Sequence, residues 1–287
     1  MSAIAYITDS KMLELHRLNA HKTMNFWRLS NKINFSDFKK GDLVFFLSKD
    51  KEHMNNKEKG IVGFGRLETV HLNTVSYLWN KYGSENGYNS LEEFKQAIIK
   101  VSKDKKIPKK ISSFYLSNVS FFQAPIYLSE CGMSISSNVE SYIYLKPDDV
   151  ANKILDYAKN SMDLWSSLES ESSIEDEKII YSLYTAHKNL KDIKLTEKLT
   201  KKAYKTLKQY VLDNPEYSFI QDSKTELYKL EDKELTILFY HDKDIDERLI
   251  IGQALMYRGE IRKYAPETYV SFKTTDNNQT INKILLG

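Results

Sequence analysis

The run KKGDLVFFLS (39–48), preceded by NFWRLS (25–30) and followed by GIVGFGRL (60–67), decides how this chain is read. In the first run a Gly-Asp pair gives way to five consecutive apolar residues, Leu43 to Leu47. A short apolar stretch rich in β-branched and aromatic side chains, bounded by turn formers, reads as a strand. The third run is entered through Gly60 and carries Gly63 and Gly65, residues that suit turns and bulges. Working outward, Ala3 to Ile7, Ser117 to Leu128 and Ser141 to Leu145 have the same β-rich character. One helix interrupts them: Ser90 and Glu93 stand in capping-box register, and Phe94, Ala97, Ile98 and Val101 repeat at helical spacing. Several short strands with an inserted helix point to a small barrel.

After Pro147 the period changes. Val150, Ile154, Tyr157, Ala158, Ser161 and Trp165 fall on one helical face, which is expected to close a first domain. The acidic, serine-rich stretch SSLESESSIEDE (166–177) reads as the boundary, so the expected domains are 1–165 and 178–287. The second half reads helix, helix, three strands, helix, strand. Leu195, Leu199, Ala203 and Leu207 form an apolar stripe beside a basic one of Lys194, Lys198, Lys201, Lys205 and Lys208. Strands are expected over 217–221, 225–230 and 234–241, a helix from about Asp244 to Pro266, and a last strand over 268–273.

The length of 287 residues allows two domains, each able to bury a core. No apolar run approaches the ~18 residues that span a bilayer, and the N-terminus lacks the layout of a signal peptide, so a cytoplasmic protein is expected. The lone Cys131 fits a reducing compartment and reads as packing. A net charge of +3 does not by itself imply a nucleic-acid partner, but lysines concentrate in 100–110 and 187–208. A solvated face is the bland reading of both runs. The six histidines show no metal-ligand spacing, and there is no phosphate-binding loop, nucleophile elbow or dinucleotide fingerprint.

The order of the three opening runs, with FFQAPIYLSECG (121–132) after them, resembles the EVE and PUA-like domain family over roughly residues 1 to 150. In that family a helical segment ending near a tryptophan precedes a GD strand and then a G-x-G strand. The segment 71–116 reads as an insertion. The resemblance implies a pocket for one nucleobase taken out of its stack, often a modified base. A flipped base must recover stacking on aromatic faces and hydrogen bonds at its edge. On this resemblance Trp27 is the stacking residue, with Phe26 beside it. Asn25, Ser30 and Ser48 serve the base edge, Trp79 forms a second wall, and Lys105, Lys106 and Lys109 contact phosphate at the rim. The competing reading is that Phe26, Trp27 and Trp79 simply fill the core.

The helix IGQALMYRGEI (251–261) after a three-stranded meander resembles the PD-(D/E)XK nuclease fold over about 175–287. That resemblance implies Mg²⁺ held by an Asp on one strand and a Glu-x-Lys on the next. The strand in question reads ELTILFYHDK and places Phe239, Tyr240 and His241 there instead. Asp222, Glu226, Asp242 and Lys243 offer a shifted site. No catalytic residue, metal ligand or cofactor is assigned, and Mg²⁺ enters only if this domain cuts.

The expected whole is α+β: a PUA/EVE-like small β-barrel with flanking helices, then an α/β domain that the second resemblance makes restriction-endonuclease-like with a disrupted site. The expected function is recognition of a modified, flipped base in DNA, of restriction or defence type. The alternatives are a modification-stimulated, metal-dependent endonuclease, an RNA-binding PUA-like regulator, and an interaction module with a vestigial pocket. The sequence does not fix the oligomeric state.

Overall fold

The computed structural model describes residues 2–30, 35, 37–54, 57–136, 139, 141–147, 149–159 and 168–276, the side chains of 168–173 excepted. The chain divides into two compact units, Met1–Ile174 and Glu175–Gly287. The division falls inside a helix, Leu168–Leu190. The acidic, serine-rich stretch that reads as a linker is therefore helical from Leu168 onward. Its glutamates are good helix formers, and serine is only mildly unfavourable in a helix. Trp165 and Ser161 lie outside the described residues.

The first unit contains, in chain order, β1 (Ala3–Thr8), α1 (Ser10–Leu18), β2 (Met24–Arg28), β3 (Leu43–Glu52) and β4 (Lys59–Asn73). These are followed by α2 (Val75–Tyr82), a 3-10 turn (Gly83–Asn86), α3 (Leu91–Val101), β5 (Ile111–Ile126), β6 (Tyr142–Tyr144) and α4 (Asp149–Lys159). The six strands form one sheet in the order β2-β5-β4-β3-β1-β6, with β1 and β3 parallel and the other pairs antiparallel. No ladder joins β6 back to β2 among the described residues, so the expected barrel is not closed by hydrogen bonds. The sheet nevertheless curls. Tyr6 on β1 and Phe26 on β2 are separated by three strands, yet their rings meet edge to face at 5.0 Å. Around that contact Met24, Val44, Phe46, Phe114 and Leu116 are fully buried.

The GD pair has a concrete role. Gly41 adopts φ 92°, the left-handed region that favours glycine. The buried Asp42 carboxylate accepts hydrogen bonds from the backbone N–H groups of Ser2 (3.0 Å) and Lys39 (2.8 Å), tying the start of β1 to the turn before β3. The glycines of β4 allow the sheet to bend: a Cβ on Gly63 would lie 2.4 Å from the carbonyl oxygen of Ser120 on β5. Register shifts along β4 and β5 mark bulges at that approach.

The structure corrects one feature of the family pattern. Asn25, Phe26 and Trp27 lie on β2, not at a helix end; the helix before them is α1, capped by Asp9 and ending at Leu18. The supposed insertion at 71–116 supplies the end of β4, both helices α2 and α3, and the start of β5. Its helices form a second small core of Val75, Leu78, Phe94, Ile98 and Ile111, against which Trp27 packs.

The second unit comprises the rest of that long helix (α5, Leu168–Leu190), then α6 (Glu197–Asp213), β7 (Ser218–Phe219), β8 (Glu226–Glu231), β9 (Glu234–Phe239), α7 (Glu247–Tyr264) and β10 (Tyr269–Thr274). The sheet order is β10-β9-β8-β7, with an antiparallel meander β7-β8-β9 and β10 parallel to β9. Leu183, Ala203, Leu207, Leu227, Ile237, Ile250 and Ile261 are all fully buried in one core. Of the apolar stripe read on α6, Ala203 and Leu207 thus face inward, and Leu195, just before the helix, packs against the same core. No described helix is long and apolar enough to cross a membrane.

Candidate functional site

Successive residues of a strand face opposite sides of the sheet, and this sorts the NFW triplet. Phe26 turns into the core, 2% exposed, stacked on Phe46 and Phe114 at 6.3 and 6.1 Å. Trp27 turns the other way and remains half-buried. Its indole meets Phe94 of α3 edge-on at 5.7 Å and Tyr88, in the turn before α3, at 6.3 Å. That turn is held by Ser90, whose hydroxyl accepts from the Glu93 N–H (3.2 Å), while the Glu93 carboxylate accepts from the Asn89 N–H (3.0 Å).

Trp27 and Tyr88 line a half-open groove of about 900 Å³. The volume falls in the range of small-molecule sites. Asp9 and Lys11 border it from the start of α1, Glu93 and Lys100 from the two ends of α3. The indole N–H of Trp27 and the hydroxyl of Tyr88 are both buried, and neither has a hydrogen-bond partner among the described residues. Burial pushes the Tyr88 phenol well up, and the Asp9 carboxylate acts in the same direction. The indole N–H lies near enough to ease that rise, though outside hydrogen-bond geometry. The phenol therefore stays protonated and available as a donor.

The other expected site residues do not converge on the groove. Asn25 is fully buried and donates through Nδ2 to Oδ1 of Asn86 at 2.8 Å. Asn86 in turn donates to the carbonyls of Leu78 and Gly83, so the pair braces the 3-10 turn against β2. Buried as they are, Phe26 and Asn25 do not reach an open pocket. Ser30 is half-buried just beyond β2. Ser48 faces a different cavity of about 380 Å³, where its hydroxyl lies 3.2 Å from that of Ser10. Trp79 packs within the α2–α3 core, 6.3 Å from Phe94. Lys105, Lys106 and Lys109 are exposed in the turn after α3, where Lys105 Nζ donates to the carbonyl of Lys100 at 2.8 Å. Sequence reasoning missed Tyr88. Its only signal is an aromatic set between Gly87 and the Ser90 cap.

In the second unit Asp222, Glu226, Asp242 and Lys243 do not gather into one site. Asp242 pairs with Lys202 and accepts from the Tyr240 hydroxyl at 3.0 Å, and these bonds hold its carboxyl down to about 2. Lys243 is exposed. Glu226 alone is fully buried, at the head of β8, where it accepts from the Tyr257 hydroxyl. Gln253, one turn earlier on α7, donates to the carbonyl of Lys191 at 2.6 Å.

No family model matches this chain, and no curated protein matches it. The chain is similar to a solved ASCH protein. The crystal structure of ASCH from Zymomonas mobilis covers 54% of this chain and 94% of its own, at 14% identity and a TM-score of 0.37. A point mutant of the same ASCH covers 54% and 98%, at 14% identity and 0.38. At those scores the similarity carries no weight for fold or function, which rest on the residues themselves.

Proposed function

We propose that the first unit is a PUA-like nucleic-acid-binding module that holds one unstacked base against Trp27, in its finer form a modified base in DNA of a restriction or defence system. One observation carries this reading: a half-buried indole walls an open groove, and it and the neighbouring phenol each keep a buried polar hydrogen without an acceptor among the described residues. A buried donor left unpaired costs ~1–3 kcal/mol, and an acceptor on the edge of a base stacked on Trp27 would satisfy the Tyr88 hydroxyl. Stacking adds ~1–3 kcal/mol per base.

Charge gives the strand a direction. Asp9, Glu92 and Glu93 border the groove near Trp27 and Tyr88, where they repel phosphate and accept from exocyclic amino groups. Lys100 lies at the far end of α3, with Lys105 and Lys106 just beyond it. The base is thus expected near the start of α3 and the backbone phosphate near its end.

The test is a binding panel of single-stranded and duplex DNA, with and without modified bases, and RNA, read by anisotropy for the parent and Trp27→Ala. Trp27→Ala is expected to lose about 5- to 150-fold for the preferred ligand, the equivalent of ~1–3 kcal/mol. Joint replacement of Lys105, Lys106 and Lys109 by Ala should weaken all strands evenly and flatten the salt dependence. Unchanged binding by Trp27→Ala across the panel would refute the groove.

A further inference from the structure

We propose that His187, Asp192 and Glu226 form a binding site for one divalent transition cation of the Mn²⁺ or Zn²⁺ kind. The three come from separate pieces of chain: the last turn of α5, the loop after it, and the first residue of β8. A ligand atom from each lies within 4.8 Å of the others.

The chain is shaped to bring them together. Lys191 adopts φ 64° just past α5, and its N–H bonds back to the carbonyl of His187 at 2.6 Å. This left-handed turn returns Asp192 beside His187, 3.8 Å from Nε2. Both Asp192 oxygens are then oriented, one by the Ser223 hydroxyl (2.5 Å) and the other by the Lys224 N–H (3.0 Å). Ser223 Oγ also accepts from the Glu226 N–H at 3.0 Å, fixing the head of β8. Gln253 pins the Lys191 carbonyl, and Tyr257 binds Glu226 while lying 2.6 Å from Nδ1 of His187. Outer-shell hydrogen bonds of this sort orient metal ligands and set their basicity.

The independent sign that this cluster takes a ligand is Glu226 itself. It is 0% exposed, and while Oε2 meets Tyr257 and lies 3.2 Å from His187 Nδ1, Oε1 has no partner among the described residues. A carboxylate taken out of water costs several kcal/mol unless charge and hydrogen bonds compensate. Here two carboxylates face a single imidazole. A divalent cation would balance both charges and take up the orphaned oxygen. One imidazole nitrogen with two carboxylate oxygens is a mixed set, too nitrogen-rich for Ca²⁺ and without the thiolate that favours Cu⁺. Asp192, its side chain 26% exposed against 7% and 0% for the other two, is the side open to solvent.

The competing account is that a proton on His187 does the balancing. The full chain, chelator-treated and freed of any histidine tag, is titrated with MnCl₂, ZnCl₂ and MgCl₂ by calorimetry, with loss of the free Mn²⁺ spin-resonance signal as a second readout. The expected result is one equivalent of Mn²⁺ or Zn²⁺ per chain, with Mg²⁺ at least tenfold weaker. Asp192→Asn is expected to weaken Mn²⁺ tenfold or more, and Glu226→Gln to abolish saturable binding. No one-to-one binding by the parent, or parent-like binding by both variants, would overturn the site. Should Glu226→Gln fail to fold, Asp192→Asn, the most exposed position, decides alone.

Discussion

The two candidate sites each bury polar atoms that have no partner among the described residues, and they do so in opposite settings. In the first, the atoms are donors, the Trp27 N–H and the Tyr88 hydroxyl, on aromatic bodies at the wall of an open groove. In the second, the atom is an acceptor, Glu226 Oε1, enclosed by an imidazole, a second carboxylate and a phenol. Donors on flat apolar faces suit a planar organic ligand, whereas an enclosed anionic acceptor suits a cation. Polarity and enclosure, more than depth of burial, distinguish the two clusters.

The contrast inside β2 breaks most easily. Phe26→Ala removes a ring stacked on two others and should cost ~3–5 kcal/mol in denaturant unfolding. Trp27→Ala, one residue on, should cost less stability and more affinity. Equal stability losses would mean that Trp27 is core like its neighbour.

A pH dependence should belong to the first unit. Burial, helped by the adjacent His21, depresses the fully buried His16 from 6.5 to about 3. The folded form therefore holds a neutral imidazole. The stability it contributes is fully present above pH 6.5 and is lost as pH falls toward 3, at up to ~1.4 kcal/mol per pH unit. Unfolding titrations between pH 7 and 4 should show that slope in the parent and a shallower one in His16→Leu.

Two tyrosines sharpen the comparison further. Tyr257→Phe strips the buried Glu226 of its phenolic donor and should destabilise by ~1–3 kcal/mol. Tyr88→Phe removes a hydroxyl that meets no partner among the described residues, so stability should stay level or rise slightly, while oligonucleotide binding weakens. A stability loss at Tyr88 equal to that at Tyr257 would show that its hydroxyl is already satisfied.

The strands flanked by Gly-Asp and Gly-x-Gly were legible because backbone freedom and apolar runs act locally. The Ser90 cap, the α6 stripe and the meander of the second unit were legible for the same reason. The groove was not. It depends on Trp27 meeting Tyr88, 61 positions later, across a segment that sequence reading sets aside as an insertion. The alternation of β2 is equally hidden when NFW reads as a helix end: pleating turns Phe26 into the core, and Asn25, on the same face as Trp27, is covered by the turn that carries Asn86. His187 and Asp192 escape notice because ligand spacing assumes a regular helix or strand, and here a left-handed residue reverses the chain between them. Glu226 was visible as an acidic residue at a strand head, but its partners were not.

The groove is tested most directly by making Trp27 the sole indole, with Trp79→Phe and Trp165→Phe together, and following its emission as a single-stranded oligonucleotide is added. The account expects saturable quenching that tracks binding measured independently by anisotropy, because a base stacks on that ring. Binding by anisotropy with no change in Trp27 emission would contradict it.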